Sequence, residues 1–253
     1  MDNFKIHFGA LILFLTLFIG CGNSGGSGGG DGNGFSSTQG VGDSANEFLA
    51  ATNYTALTIE VDYVEGFQPT QSALNNLRTF LQGRLNKTNI SISLDDEIPS
   101  PGGSPYSAQE AFDLEKKHRD TYTEGTTMAA YFIVLDGEFE QEKVLGFAYF
   151  NTSMALIGGT IENNSGGFGQ PSRETVETAV MQHEFGHILG LVDKGTPAIQ
   201  DHVDEENGAH CDVESCLMYF AVRTSDFMSN LMGGNVPELD PQCIQDLQAN
   251  GGK

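Results

Sequence analysis

The chain has 253 residues, enough for one fair-sized domain preceded by a shorter segment. Its formal net charge is −22, from 34 acidic and 12 basic residues. This charge argues against a nucleic-acid partner, because a phosphate backbone would be repelled rather than neutralised.

An apolar segment opens the chain. Residues 8–20 are almost unbroken in apolar side chains, as in the hydrophobic region of a secretory signal. Cys21 follows directly, and the glycine- and serine-rich tract behind it should behave as flexible coil. The arrangement resembles the lipobox of bacterial lipoproteins, in which the cysteine is lipidated, although Phe18 stands where leucine is usual. We therefore expect an exported lipoprotein anchored to a membrane through Cys21, in the cell envelope or at the cell surface.

These features divide the chain into three parts. Residues 1–20 are interpreted as a signal peptide, and residues 21–46 as the anchor cysteine with its tether. A tether of this composition would let the domain move roughly 25 to 30 Å from its anchor. Residues 47–253 are predicted to form one domain.

The domain alternates strand and helix patterns. Segments rich in alternating, β-branched or aromatic residues predict strands at 55–64, 89–94, 128–136, 144–150 and 153–158. Leucine and phenylalanine at three- and four-residue spacing predict a helix that opens at Pro69, and residues 107–122 predict a polar helix. Strands that first alternate with helices and then follow one another predict an α/β (α+β) fold on a mixed sheet.

A further helix is bounded by clear signals at both ends. Ser172 is a good N-cap behind a proline, and Glu174 lies in the first turn, where the helix dipole favours a negative charge. Gly190 is predicted to end the helix.

The motif HEFGH, residues 183–187, lies on this helix. His183 and His187 are four residues apart and therefore share one helical face, where both imidazoles can bind a single cation. In the H-E-x-x-H pattern the histidines bind Zn²⁺, and the glutamate, here Glu184, takes a proton from the zinc-bound water.

A zinc site that keeps one position for water needs a third protein ligand. The string H-E-x-x-H-x-x-G-x-x-[HD] resembles the metzincin clan of zinc peptidases, whose third ligand corresponds to Asp193. The later segment AHCDVESCLMYF, residues 209–220, resembles the archaemetzincins, in which the histidine before the first cysteine is the third ligand. His210 is therefore the preferred third ligand, with Asp193 and His202 as alternatives.

The archaemetzincin resemblance also bears on the cysteines. In that pattern they hold a second metal, which a C-x-x-C pair near the C-terminus completes. Here Asp240 stands where the first cysteine of that pair would be. Either Cys211, Cys216, Cys243 and Asp240 bind a second zinc, or two of the cysteines form a disulfide and leave one thiol.

The resemblance implies a metzincin-like zincin catalytic domain. Its upper subdomain, residues 47–190, would hold the mixed twisted sheet and the active-site zinc helix, and a small C-terminal subdomain, residues 191–253, would lie below the cleft. Met218 corresponds to the methionine of the metzincin Met-turn, an apolar floor beneath the metal. Residues 146–158 are expected to include an edge strand to which an extended peptide can add by main-chain hydrogen bonding.

The sequence thus predicts a monomeric zinc metallopeptidase that hydrolyses a peptide or protein substrate through a metal-activated water, with Glu184 as the general base. It predicts one catalytic Zn²⁺, and a second, structural ion if the cysteines bind metal. Two alternatives stay open: a zinc-dependent hydrolase of a non-peptide substrate, and an anchored binding protein with a structural metal. Glu184 argues against the binding protein, because a structural site has no use for a base.

Overall fold

The computed structural model describes residues 34–196, 198–223, 228, 231 and 233–253. The predicted signal peptide and Cys21 lie outside the described residues. Within the described part of the chain, no helix is both long and apolar enough to cross a membrane.

A five-stranded mixed sheet forms the centre of the domain, with the strand order β2-β1-β3-β5-β4. Its strands are β1 (Ala56–Val64), β2 (Asn89–Ile98), β3 (Thr127–Leu135), β4 (Gly146–Phe150) and β5 (Ser153–Ile157). All neighbouring pairs are parallel except β4 and β5, which are antiparallel. The mixed α/β architecture predicted from the sequence is confirmed, and β4 lies at an edge of the sheet.

Strand β3 shows why the sheet is stable. Successive side chains of a strand point to opposite faces, and here Phe132 joins one buried cluster while Tyr131 and Ile133 join another. Both faces of the central strands are therefore covered, which explains the nearly continuous apolar run of β3.

Six α-helices surround the sheet in the described residues. They are α1 (Ala45–Leu49), α2 (Gln71–Arg84), α3 (Ala108–His118), α4 (Gly158–Asn163), α5 (Arg173–Ile188) and α6 (Pro241–Ala249). Helix α3 begins with a capping box between Ser107 and Glu110. It ends before the predicted residue 122, at its C-cap Arg119, where the backbone becomes extended and the guanidinium binds Glu115 and the carbonyl of Thr121. Helices α1, α4 and α6 are too short to show a helical period in the sequence.

Helix α5 carries the HEFGH motif through the interior. Its N-cap is the predicted Ser172, whose hydroxyl accepts a hydrogen bond from the Thr175 backbone N–H at 3.1 Å. Every residue of the helix from Thr175 to Ile188 is buried. The Glu177 carboxylate joins it to the start of α2, since it accepts hydrogen bonds from the backbone N–H and the hydroxyl of Thr70 at 2.8 and 2.7 Å. The histidines are thus presented by a rigid element.

The described part of the predicted tether, residues 34–46, packs against the domain. The Phe35 ring meets the Tyr54 ring edge-on at 6.0 Å between centroids. The buried Asn151 side chain donates to the carbonyl of Ser36 at 2.9 Å and to the hydroxyl of Ser44 at 2.7 Å. This stretch is therefore ordered by long-range contacts, which differs from the flexible coil that its composition predicts.

Between α5 and α6 the described chain is mostly irregular, with a 3₁₀ turn at Phe220–Arg223. Isolated bridges join Cys211 to Val203 and Tyr219, and Cys216 to Glu238. The segment also returns to the C-terminal half of α5, where the Leu217 carbonyl oxygen lies 2.7 Å from His183 Nδ1. The division into upper and lower subdomains stays a prediction.

Candidate metal centre

Three histidines converge at the C-terminal half of α5. One ring nitrogen from each of His183, His187 and His210 lies within 4.8 Å of the other two, and all three residues are buried. The Nε2 atoms of His183 and His187 are 3.2 Å apart. Ligand nitrogens bound to a tetrahedral zinc at 2.0–2.1 Å are separated by roughly 3.3 Å. The donor set therefore fits such an ion without rearrangement of α5.

Backbone carbonyls orient two of the rings. Nδ1 of His183 lies 2.7 Å from the Leu217 carbonyl oxygen, and Nδ1 of His210 lies 2.9 Å from the Gly208 carbonyl oxygen. A carbonyl can only accept, so each Nδ1 carries the proton and each Nε2 presents a lone pair. A ring nitrogen fixed by a backbone partner in this way is the usual support of a metal-binding histidine.

Glu184 lines a cavity of about 200 Å³ together with His187 and His210. The carboxylate side chain is buried against β4. Gly146 makes this approach possible, because a Cβ there would lie only 2.5 Å from Val180 Cγ1 and 3.3 Å from Glu184 Cγ. A base is thus placed beside the three imidazoles, at a cavity that can admit a substrate group.

Met218 lies beneath the motif helix. A Cβ on Gly186, between the two motif histidines in sequence, would lie 2.3 Å from Met218 Sδ. The methionine is fully buried, and its carbonyl accepts the Cys211 N–H at 2.8 Å. Met218 therefore packs against the helical turn that carries His183 and His187.

The two alternative third ligands lie elsewhere. Asp193 is exposed, has a positive φ of 59°, and accepts a hydrogen bond from the Ala198 N–H at 2.6 Å. His202 belongs to a second donor cluster. Of the three candidates, His210 is the one that the fold brings to His183 and His187.

The second donor cluster contains His202, Cys211, Asp240 and Cys243, whose ligand atoms lie within 4.8 Å of one another. Nδ1 of His202 is 3.5 Å from the Cys211 sulfur and 4.0 Å from the Cys243 sulfur. Among the described residues, Cys211, Cys216 and Cys243 form no disulfide. The cluster is therefore assembled around sulfur and imidazole donors, which suit zinc.

Cys216 adjoins this cluster. Its sulfur is 3.7 Å from that of Cys243 and accepts backbone hydrogen bonds from Met218 and Asp240 at 3.3 and 3.4 Å. Hydrogen bonding to the neighbouring Cys211 and Cys243 holds the pKa of the Cys216 thiol well below its usual range. Stabilisation of the thiolate is favourable for a metal ligand.

Two aspartates support the second cluster in different ways. Asp246 accepts a hydrogen bond from His202 Nε2 at 2.8 Å, which turns Nδ1 of that ring toward the sulfurs. Asp240 is the N-cap of α6, since its Oδ1 accepts the N–H groups of Gln242 and Cys243 at 2.6 and 3.2 Å. Its Oδ2 accepts from the Cys211 thiol at 2.9 Å.

From the sequence, His202 was predicted only as an alternative third ligand beside His183 and His187. Asp246 was not among the predicted site residues. Residues 202 and 246 meet through contacts distant in sequence, and no local motif joins them. The only signal in the sequence was a histidine between the motif helix and Cys211, and it did not indicate which cluster His202 would join.

A third group of possible metal ligands consists of the acidic residues Glu60, Asp62 and Asp95, at the sheet. The Asp62 carboxylate accepts hydrogen bonds from the Tyr131 hydroxyl at 2.7 Å and from the Asp96 N–H at 3.0 Å. Burial nevertheless raises the pKa of Asp62 to about 6. Glu60 accepts hydrogen bonds from the backbone N–H groups of Asp120 and Thr121, and Asp95 is exposed, so we assign no ligand to this group.

No protein-family model and no curated protein sequence matches the chain. Among solved structures, archaemetzincin from Methanopyrus kandleri is similar with a TM-score of 0.46 and 14% identity, over 78% of this chain and 96% of that one. Metalloproteinase-II from Bacteroides fragilis is similar with a TM-score of 0.42 and 15% identity, over 79% of this chain and 54% of that one. The chain thus spans about half the length of the second protein.

Proposed function

We propose that the protein is a zinc-dependent peptidase whose metal is held by His183, His187 and His210. One observation carries the proposal: three buried imidazoles converge beside Glu184 at a cavity. Three protein ligands leave a tetrahedral ion with an open position, which distinguishes a catalytic zinc from a structural one. The arrangement corresponds to the metzincin-like catalytic domain expected from the motif.

The chain's own groups would perform the proton transfers. A zinc ion in this site would polarise the scissile carbonyl and acidify a water molecule. Glu184 is placed to accept the proton of that water and to return it to the leaving amine. The carbonyls of Leu217 and Gly208 hold the His183 and His210 rings in their coordinating tautomers during both steps.

The position of β4 supports a peptide as the substrate. In the described residues β4 pairs with β5 alone, so its other side can hydrogen-bond to an added strand. Phe147 and Ala148 of β4 line the same cavity as Glu184. An extended peptide paired with β4 would therefore run past the three histidines, which favours peptide hydrolysis over the hydrolysis of another substrate class.

We further propose a second, structural zinc bound by Cys211, Cys216, Cys243 and His202. Thiolate and imidazole donors suit zinc, and a set of four closes its coordination. All four residues are buried. His202 takes the place that the archaemetzincin resemblance gave to Asp240, because His202 Nδ1 faces the Cys211 and Cys243 sulfurs, whereas Asp240 serves as the cap of α6. A disulfide would use two of the sulfurs and leave His202 facing a thiol, so metal binding accounts better for the whole cluster.

The localisation rests on the sequence. We propose that the protein is exported and anchored to a membrane through a lipid on Cys21, as a monomer that acts on peptides or proteins and does not bind nucleic acid. Partitioning into a detergent phase tests the anchor. The parent should enter that phase and a Cys21→Ser variant should remain in the aqueous phase; a parent that stays aqueous would contradict the anchor.

The peptidase proposal is tested with Glu184→Gln. The amide cannot accept the proton, so we expect peptide hydrolysis to fall by about 10²- to 10⁴-fold, while the number of zinc ions per chain is unchanged. Glu174→Gln, on the same helix but in its first turn, is the matched control and should retain activity. A Glu184→Gln variant as active as the parent would exclude Glu184 as the base.

A further inference from the structure

Residues 35–44 belong to the predicted tether, and we call them the strap. They reach the candidate catalytic cavity. Val41 of the strap lines that cavity together with Phe147, Glu184, His187 and His210. The wall of the cavity is therefore built partly from a segment that precedes the first helix of the domain.

A buried clamp in the turn between β4 and β5 holds the strap. Asn151 accepts the Gln39 N–H on its side-chain oxygen at 3.0 Å, and its own backbone N–H donates to the Gln39 carbonyl at 3.1 Å. Its side-chain amide donates to Ser36 and Ser44. Thr152 adds a hydrogen bond from its hydroxyl to the Ser37 carbonyl at 3.2 Å. Asn151 thus directs its side-chain hydrogen bonds to the strap, which a loosely attached segment would not require.

The strap also contacts the loop that follows α5. Gly42 and Gly195 both have positive φ, of 84° and 74°, and their backbones touch. A Cβ on Gly42 would lie 1.8 Å from the Lys194 carbonyl oxygen, and one on Gly195 would lie 2.4 Å from the Gly42 carbonyl carbon. Only glycine fits both the conformation and the space. The position of Val41 is consequently determined from both sides, by Asn151 and by the 194–195 backbone.

The cavity has the size and lining of a side-chain pocket. Its volume of about 200 Å³ lies below the roughly 300–1,000 Å³ of a pocket for a whole small molecule. Val41, Phe147 and Ala148 give it an apolar wall, and Lys194 adds one cationic residue. The apolar wall favours a medium-sized aliphatic side chain, which would lie beside the polar groups of Glu184, His187 and His210 in the same cavity.

We propose that Val41 is a specificity-determining residue, and that the strap sets the size of the substrate side chain accepted beside the scissile bond, with leucine-sized aliphatic side chains preferred. This specificity presupposes the peptidase function proposed above. A change in the volume of one side chain in such a pocket shifts discrimination by about 10- to 200-fold.

The test uses the zinc-loaded full chain and peptide hydroxamates that carry alanine, leucine, phenylalanine or aspartate next to the metal-binding group. Calorimetry measures their affinities, and hydrolysis of the corresponding peptides is measured separately. The parent should bind the leucine compound best. Val41→Ala should shift the preference toward phenylalanine by about 10-fold, and Val41→Phe should shift it toward alanine by a similar factor.

Val236→Ala is the matched control, since this valine is also half-buried but lines a different cavity; it should leave the profile unchanged. Asn151→Ala should change the profile as Val41→Ala does and should expose the strap to limited proteolysis. Three results would overturn the inference. They are a binding profile that Val41 substitutions do not alter, an unaltered profile in Asn151→Ala, and a parent that prefers the aspartate compound. Val41-dependent binding without peptide hydrolysis would instead refute the proposed function and leave Val41 with a role only in selecting the bound side chain.

Discussion

The two donor clusters share a short stretch of chain but differ in chemistry and access. His210 belongs to the histidine cluster, and Cys211, the next residue, belongs to the cysteine cluster. The histidine cluster borders a cavity that also contains Glu184. The cysteine cluster has thiol donors that are fully buried, and His202 is nearly so. A donor set with an open side and a base is suited to catalysis, whereas a closed set is suited to stabilising the fold.

Adjacent residues reach different clusters because the chain is extended there. Cys211 forms bridges with Val203 and Tyr219, and in such a conformation neighbouring side chains point to opposite sides. Neighbouring residues contact both clusters again at 216–217, since the Leu217 carbonyl orients His183 and the Cys216 sulfur lies beside that of Cys243. The cysteine cluster therefore fixes the backbone that positions the histidine cluster.

The largest expected effect contrasts one residue of each cluster. Cys216→Ala should lose the second zinc and lower the free energy of unfolding by several kcal/mol, because a structural zinc contributes directly to folding. His210→Ala should lose the first zinc and the activity, with a smaller loss of stability. Zinc per chain and denaturant unfolding of both variants measure the difference. Equal losses of stability would mean that the two clusters do not divide their roles as proposed.

A pH experiment separates folding from metal release. Acid releases metal from histidines near pH 6, and burial raises the pKa of Asp62 to about 6 as well. A raised carboxyl pKa means that the folded state binds the proton more tightly. Its stabilising contribution is therefore complete below the unfolded pKa of about 4 and is lost as the pH rises through about 6.

For the metal-free protein, we expect this contribution to fall by about 1–2 kcal/mol between pH 4 and 7. The side chain of the Asp62→Asn variant cannot ionise. Between pH 4 and 7, the free energy of unfolding of the parent should therefore fall by about 1–2 kcal/mol more than that of the variant. Asp95→Asn, at an exposed position of the same group, is the matched control and should follow the parent. Parallel pH profiles for the parent and Asp62→Asn would show that Asp62 does not contribute.

The smallest expected effect distinguishes the cap from the fourth ligand. Asp240→Ala removes the N-cap of α6 and should cost about 1 kcal/mol, while both zinc ions remain bound. His202→Ala should retain only the first zinc. If Asp240→Ala loses the second zinc and His202→Ala keeps it, the aspartate is the ligand, as the archaemetzincin resemblance suggested.

Much of the fold was predictable because its signals are local. Alternating patterns located the strands, and Ser172 with the spacing of His183 and His187 defined the motif helix to within a residue at its start. Short helices such as α1 and α4 escaped prediction, because five or six residues contain too little of a helical period. The packing of residues 35–46 also escaped, since a glycine- and serine-rich composition does not reveal that Asn151 provides partners for their backbone.

By itself, the sequence determined that two imidazoles and a glutamate share one helix, because a four-residue spacing on an α-helix places side chains on the same face. Only the tertiary structure decided which distant residues join them. His210 meets the motif histidines, His202 meets the cysteines and Asp246, and Val41 reaches the cavity. These contacts depend on how the chain returns after α5 and before α1, and that path is set by long-range packing rather than by spacing along the sequence.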